Sequence, residues 1–193
     1  TDTGFAGRYQ AELANGLGNL VNRSLSMLKR YRNGVVPLRS DELAPEAERL
    51  VAETRERLEK NDLQAGLMSI WALVTRANQY VDQTAPFKLA KDPAQAARLD
   101  EVLYNLVETC RVLAVLLWPF IPGTAGKIYA QLGLSGEPNQ FSAAAWGGLP
   151  AGQTFFDSPL NAPRRDVVFA VVGELFFPPK RGHRQELLDA LGL

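Results

Sequence analysis

Residues 5–28 read FAGRYQAELANGLGNLVNRSLSML. Phe5, Tyr9, Leu13, Leu17, Leu20, Val21, Leu25 and Leu28 recur at three- and four-residue steps, the spacing that puts apolar side chains on one face of an α-helix. Asn33-Gly34 ends the pattern, since both residue types tolerate the left-handed conformation at a helix C-terminus. The fold class follows from this segment together with three more like it downstream.

A polar loop containing Pro37 leads to a second helix, with Pro45 in its first turn. Leu50, Val51 and Leu58 form its apolar stripe, and a dense Glu/Arg pattern runs to Lys60. Asn61-Asp62 breaks the chain, and Asp62 is the candidate cap of a third helix carrying Leu63, Leu67, Ile70, Trp71, Val74, Ala77, Tyr80 and Val81. Pro86 is expected to stop it. A fourth helix is expected to begin near Asp92-Pro93 and to hold Leu99, Val102, Leu103, Leu106, Val107, Cys110, Leu113, Ala114 and Leu117. Its later half is apolar on most sides, as a central buried helix requires. Pro119 and Pro122 end it, and a short helix is expected from about residue 123 to 132. The prediction is an all-α antiparallel bundle of about five helices with short connections.

Beyond Gly133 the composition shifts to Gly, Pro, Ser and Asn. The run 167–172 (VVFAVV) reads as a buried extended segment, and residues 185–193 as a short amphipathic helix. We therefore expect a helical bundle over 1–152 and an irregular C-terminal tail over 153–193 that packs back on it.

The chain has 193 residues, 46% hydrophobic and 22% charged, a soluble globular composition. One Cys, Cys110, and one His, His183, exclude a disulfide framework and a multi-Cys/His zinc site. No secretory signal opens the sequence, and the longest apolar run, residues 112–121, is too short to span a bilayer. The expected compartment is the cytoplasm, with no membrane partner. The formal net charge is zero, which argues against a non-specific DNA or RNA coat. Charge is nonetheless uneven: net +4 over residues 1–40, −4 over 41–62 and +3 over 163–184.

Enzyme motifs are scarce. There is neither a Walker-type phosphate loop nor a Rossmann glycine fingerprint, and Gly16-Leu17-Gly18 lies inside a periodic helix. Cys110 falls on the buried face of the fourth helix, as a core thiol. Asp41-Glu42 and Asp100-Glu101 sit at expected helix starts, where they would favour the helix dipole. No catalytic, cofactor-binding or metal-binding residue is assigned.

Polar residues among apolar ones are more informative. Asn19 and Arg23 lie four apart on one face of the first helix, with Asn22 beside them. Both side-chain types offer directional hydrogen bonds suited to base edges or phosphates. Residues 78–88 (NQYVDQTAPFK) end a helix with Pro86 followed by an aromatic, Phe87. An aromatic held just past a helix end can stack on an unstacked base. The competing reading is that Asn19 and Arg23 bond between helices and Phe87 plugs the core.

Three stretches occur together: residues 9–27 (YQAELANGLGNLVNRSLSM), residues 77–91 (ANQYVDQTAPFKLAK), and residues 102–108 (VLYNLVE) running on to residues 117–122 (LWPFIP). They resemble, in order and at plausible spacing, the anticodon-binding C-terminal helical domain of bacterial methionyl-tRNA synthetases. Gly133-Leu134 and residues 146–152 (WGGLPAG) extend the match over about three quarters of the chain.

The resemblance implies a class I aminoacyl-tRNA synthetase that uses ATP to activate methionine and attaches it to its tRNA. The helical domain would read the CAU anticodon, with Asn19, Arg23, Pro86 and Phe87 at the anticodon-contacting positions. Where the family usually has Trp, this chain has Phe87, which keeps a stacking face and lacks the indole N–H. The family's catalytic signatures and Cys-rich metal knuckle are absent, so this chain alone is expected not to catalyse. Its implied partners are methionine tRNA and a synthetase catalytic domain, with ATP and methionine belonging to the parent enzyme. The alternatives are a free-standing, non-catalytic RNA- or protein-interaction module, or a helical scaffold with no RNA role.

Overall fold

The computed structural model describes residues 2–155. Six α-helices follow in order: α1 (Asp2–Arg32), α2 (Ala44–Glu59), α3 (Leu63–Thr84), α4 (Pro86–Leu89), α5 (Ala96–Leu117) and α6 (Pro122–Gln131). Short 3-10 turns at Pro93–Gln95 and Phe141–Ala144 complete the set. Five of the helices have ten residues or more, and the described residues contain no strand. The expected apolar face of α1 is in place over its second half, with Leu17, Leu20, Val21 and Leu28 buried. The expectations for 167–172, for 185–193 and for most of the tail fall outside the described residues.

Local chemistry explains the boundaries. Asn33 (φ 53°) and Gly34 (φ 79°) end α1 in the left-handed region. The Asp62 carboxylate accepts from the Ala65 N–H at 3.0 Å and caps α3. Asp92 does the same for Ala94 at 3.0 Å, yet what it caps is the 3-10 turn; α5 proper begins at Ala96. Asp100 and Glu101 therefore lie past the first turn of α5 and serve a purpose other than the expected dipole role. Asp100 accepts from Arg32 of α1, and Glu101 pairs with Arg98 at 2.9 Å. Glu42 likewise bridges helices. It accepts both Arg98 nitrogens, at 2.7 and 3.0 Å, and the Tyr80 hydroxyl at 2.6 Å.

Helix α5 is the centre of the bundle, and every residue from Val102 to Leu117 is buried. It packs against α1, α2, α3 and α6. Cys110 is fully buried there, and desolvation pushes its thiol up to about 12, as a core residue requires.

The polar residues of α5 are matched to backbone groups. Asn105 accepts from the Leu43 N–H at 2.8 Å and donates to Ser40 Oγ at 2.9 Å. Glu108, with no exposed surface, accepts from the N–H groups of Gly147 (2.6 Å), Gly148 (2.9 Å) and Leu149 (3.1 Å), and from Arg111 at 2.7 and 2.9 Å. Arg111 donates in turn to the carbonyls of Ala143 and Ala145. Two buried charges are thus neutralised by each other and saturated with hydrogen bonds, the condition under which a buried ion pair is tolerated. They bind the loop after α6 to the central helix. The loop's Trp146 Nε1 donates to Ser40 O at 3.1 Å, tying in the α1–α2 connection.

Residues 152–155 lie against the segment that follows α1. The Val36 N–H donates to Gln153 O at 2.9 Å, the Phe155 N–H donates to Gly34 O at 3.1 Å, and Val35 and Thr154 form an antiparallel bridge. Phe155 is buried.

Candidate nucleic-acid interface

Helices α1 and α3 pack together at Gly16. A Cβ at this position would stand 3.5 Å from Val74 Cγ1 of α3. The Asn78 side chain donates to Gly16 O at 3.1 Å and to Val74 O at 3.0 Å, so one amide fixes the register of the two helices. Asn19, one turn further along α1, is exposed. One turn beyond it, Arg23 Nη2 donates to Asp82 Oδ1 at 3.0 Å. Side-chain exposures of 39% for Arg23 and 71% for Asp82 place this pair at the water boundary. A surface pair of this kind is worth about 0–1 kcal/mol, so its guanidinium is readily exchanged to another acceptor.

Asp82 stands four residues before Pro86, in the last turn of α3. That turn is held from beneath. The Thr84 hydroxyl donates to Tyr80 O at 2.6 Å, while Tyr80 itself is anchored on Glu42. Burial and the Glu42 hydrogen bond push the Tyr80 hydroxyl far above its ordinary range, so it remains a proton donor. The Arg98 fork holds the Glu42 carboxyl below the usual carboxylate value.

Helix α3 ends at Thr84, one residue earlier than a simple stop at Pro86 requires, and Ala85 is its left-handed C-terminal residue. Pro86 then opens the four-residue α4 instead of ending order. Pro86 is buried and Phe87 is 48% exposed. Pro86 is therefore turned mostly into the protein, whereas Phe87 presents an aromatic ring to solvent. Lys88 and Lys91, on either side of the end of α4, are exposed.

The two readings of these residues divide between them. Arg23 does bond across helices, as the packing alternative holds. Phe87 does not plug the core, and Asn19 points to solvent. Asp82 and Asn78 lay in the motif around Pro86 without being singled out, because neither pairing, over 59 and 62 residues of sequence, has a local signature. Among the described residues no group of three or more His, Cys, Asp or Glu side chains could hold a metal ion, and no helix is long and apolar enough to cross a membrane.

Residues 33–171 match the family described as the anticodon binding domain of methionyl tRNA ligase. The chain belongs to that family. This anticodon-binding domain is 37% identical over 166 residues to the methionine–tRNA ligase of Caldanaerobacter subterraneus subsp. tengcongensis, covering 83% of this chain and 26% of the relative. It is 38% identical to the ligase of Bacillus subtilis, covering 78% and 23%. In three dimensions the domain resembles apo methionyl-tRNA synthetase from Mycobacterium tuberculosis, with a TM-score of 0.70, 33% identity, 84% of this chain and 35% of that one. The same enzyme bound by methionyl-adenylate gives a TM-score of 0.66 at 35% identity, covering 74% and 30%. The chain thus spans about a quarter of the length of the curated relatives it matches.

Proposed function

We propose that this anticodon-binding domain reads the CAU anticodon of methionine tRNA within a methionine–tRNA ligase. The observation that carries the reading is the arrangement at the junction of α1 and α3. Arg23, paired with Asp82, ties the polar face of α1 to the last turn of α3, and Phe87 stands exposed five residues on. Arg23 supplies a planar fork of donors for a base edge or phosphate. Asn19 adds a directional amide one turn away. Phe87 offers a face on which an unstacked base can lie. Pro86, being buried, serves the site by setting the direction of Phe87.

Activation of methionine with ATP and transfer to the tRNA belong, in this reading, to a catalytic domain to which this one is partnered, in the cytoplasm where translation occurs. The domain supplies no cofactor-binding or catalytic group of its own. The test is direct titration of the 193-residue chain with a CAU stem-loop and with stem-loops carrying single anticodon changes. Tighter binding of CAU, without methionine-dependent ATP–pyrophosphate exchange, supports the reading. Equal binding of every stem-loop, or none, overturns it in favour of an interaction module of another kind.

A further inference from the structure

We propose that Ala85 is a positioning residue for the exposed ring of Phe87. The proposal rests on the RNA reading of Phe87 given above. Three non-glycine residues among those described have positive φ: Asn33, Asn61 and Ala85. Asn reaches the left-handed region through local hydrogen bonding of its short polar side chain, and Ala has no such help. Ala85, at φ 44° and ψ 59°, is the exception of the three, and it stands two residues before the proposed stacking residue, with Pro86 between them.

The conformation has a definite effect on the chain path. Pro86 forbids Ala85 the right-handed helical geometry, because the proline ring would clash with it. The relaxed outcome at such a site is an extended residue that carries the chain away from the helix. Here the left-handed turn keeps hydrogen bonding continuous through the reversal. The Ala85 N–H still donates to Val81 O at 3.0 Å, and the Ala85 carbonyl accepts from the Lys88 N–H at 2.7 Å, starting α4. Both sides of the turn are anchored. On one side Thr84 and Tyr80 hold the last turn of α3. On the other, the Ala90 N–H donates to Pro86 O at 2.9 Å, and Leu89 and Ala90 pack against the core. Pro86 is thereby driven inward and Phe87 outward. Strained backbone persists where its surroundings over-determine it, and such sites concentrate where a ligand is held.

Glycine adopts this φ without strain and also adopts many others, so Ala85→Gly keeps the fold and widens the set of directions open to Phe87. Affinity falls in proportion to the fraction of chains holding the ring in the competent direction. In titrations with the CAU stem-loop, Ala85→Gly should weaken binding about three- to tenfold with the melting temperature unchanged. Ala85→Asn, which restores a left-handed preference, should bind like the wild type. Combined with Phe87→Ala, Ala85→Gly should have no further effect on affinity, because the residue acts only through the ring. Wild-type affinity in Ala85→Gly, or the same fold-loss in the presence and absence of the Phe87 ring, overturns the positioning role. Failure of the wild type to bind the stem-loop, or full binding by Phe87→Ala alone, overturns the RNA reading and this proposal with it.

Discussion

Arg23 of α1 and Asp82 of α3 are joined by a 3.0 Å ion pair that bridges 59 residues of sequence at the water boundary. In the free domain the guanidinium thus already has an acceptor, and a ligand must offer a better one. Asp82 also places a negative charge beside the proposed RNA path, where every approaching phosphate meets it.

Replacing that carboxylate should loosen selectivity. Asp82→Asn frees Arg23 and removes the repulsion, so binding of stem-loops with altered anticodons should tighten by several-fold, up to about 1.4 kcal/mol or tenfold. Stability should change by less than about 1 kcal/mol, since the pair is exposed. Titration of CAU and altered stem-loops at two salt concentrations checks this. Weaker binding of all stem-loops by Asp82→Asn would show that the carboxylate orients Arg23 for the RNA.

A second prediction concerns the buried clasp. Glu108→Ala strands Arg111 in the core and leaves the N–H groups of Gly147, Gly148 and Leu149 without their acceptor. Breaking a buried pair from one side costs about 3–5 kcal/mol. Gly148→Ala should also destabilise, by about 1–3 kcal/mol, because the new Cβ would lie 2.6 Å from Arg111 Cζ, whose position the pair fixes. Denaturant unfolding curves read both. Wild-type midpoints would contradict the assignment of this clasp as the anchor of the loop after α6.

Acid should weaken the contact beneath the end of α3. Glu42 is held below its ordinary 4.5, first by the Arg98 hydrogen bond and then by Tyr80. Because its folded-state pKa lies below the unfolded one, its contribution is complete above about pH 4.5 and is lost as pH falls through the folded value. The melting temperature of Glu42→Gln should therefore lie below that of the wild type at neutral pH and converge with it in acid. A pH-independent gap between the two would place the effect elsewhere.

The helices were legible in the sequence where apolar spacing and end signals agreed. Asn33-Gly34, Pro45 and Asp62 each mark a boundary by a local property, and the structure uses each of them as a boundary. Glu108 and Arg111 were not legible as a pair of anchors. Their partners lie 32 to 41 residues away in a Gly-rich segment with no periodicity. Asp100 and Glu101 misled because they lie beyond the first turn of α5, where their carboxylates meet Arg32 of α1 and Arg98 instead of free N–H groups. At the candidate site, residue type and spacing draw attention to Asn19, Arg23 and Phe87 and leave the packing reading open; the family resemblance is what assigns them to the anticodon. That Pro86 is buried and Phe87 is not depends on the left-handed turn at Ala85, which no alanine announces.

The central claim, that Arg23 and Phe87 hold the anticodon, is tested most directly by comparing the wild type with the Arg23→Ala/Phe87→Ala double variant. Each would be titrated with a CAU stem-loop and with stem-loops altered at one anticodon base. Loss of one base stack is worth about 1–3 kcal/mol, roughly five- to 150-fold in affinity, and loss of Arg23 adds to it. The account predicts that the double variant folds, binds CAU at least fivefold more weakly, and loses its preference for CAU over the altered stem-loops. A double variant that binds CAU and altered stem-loops as the wild type does would contradict it.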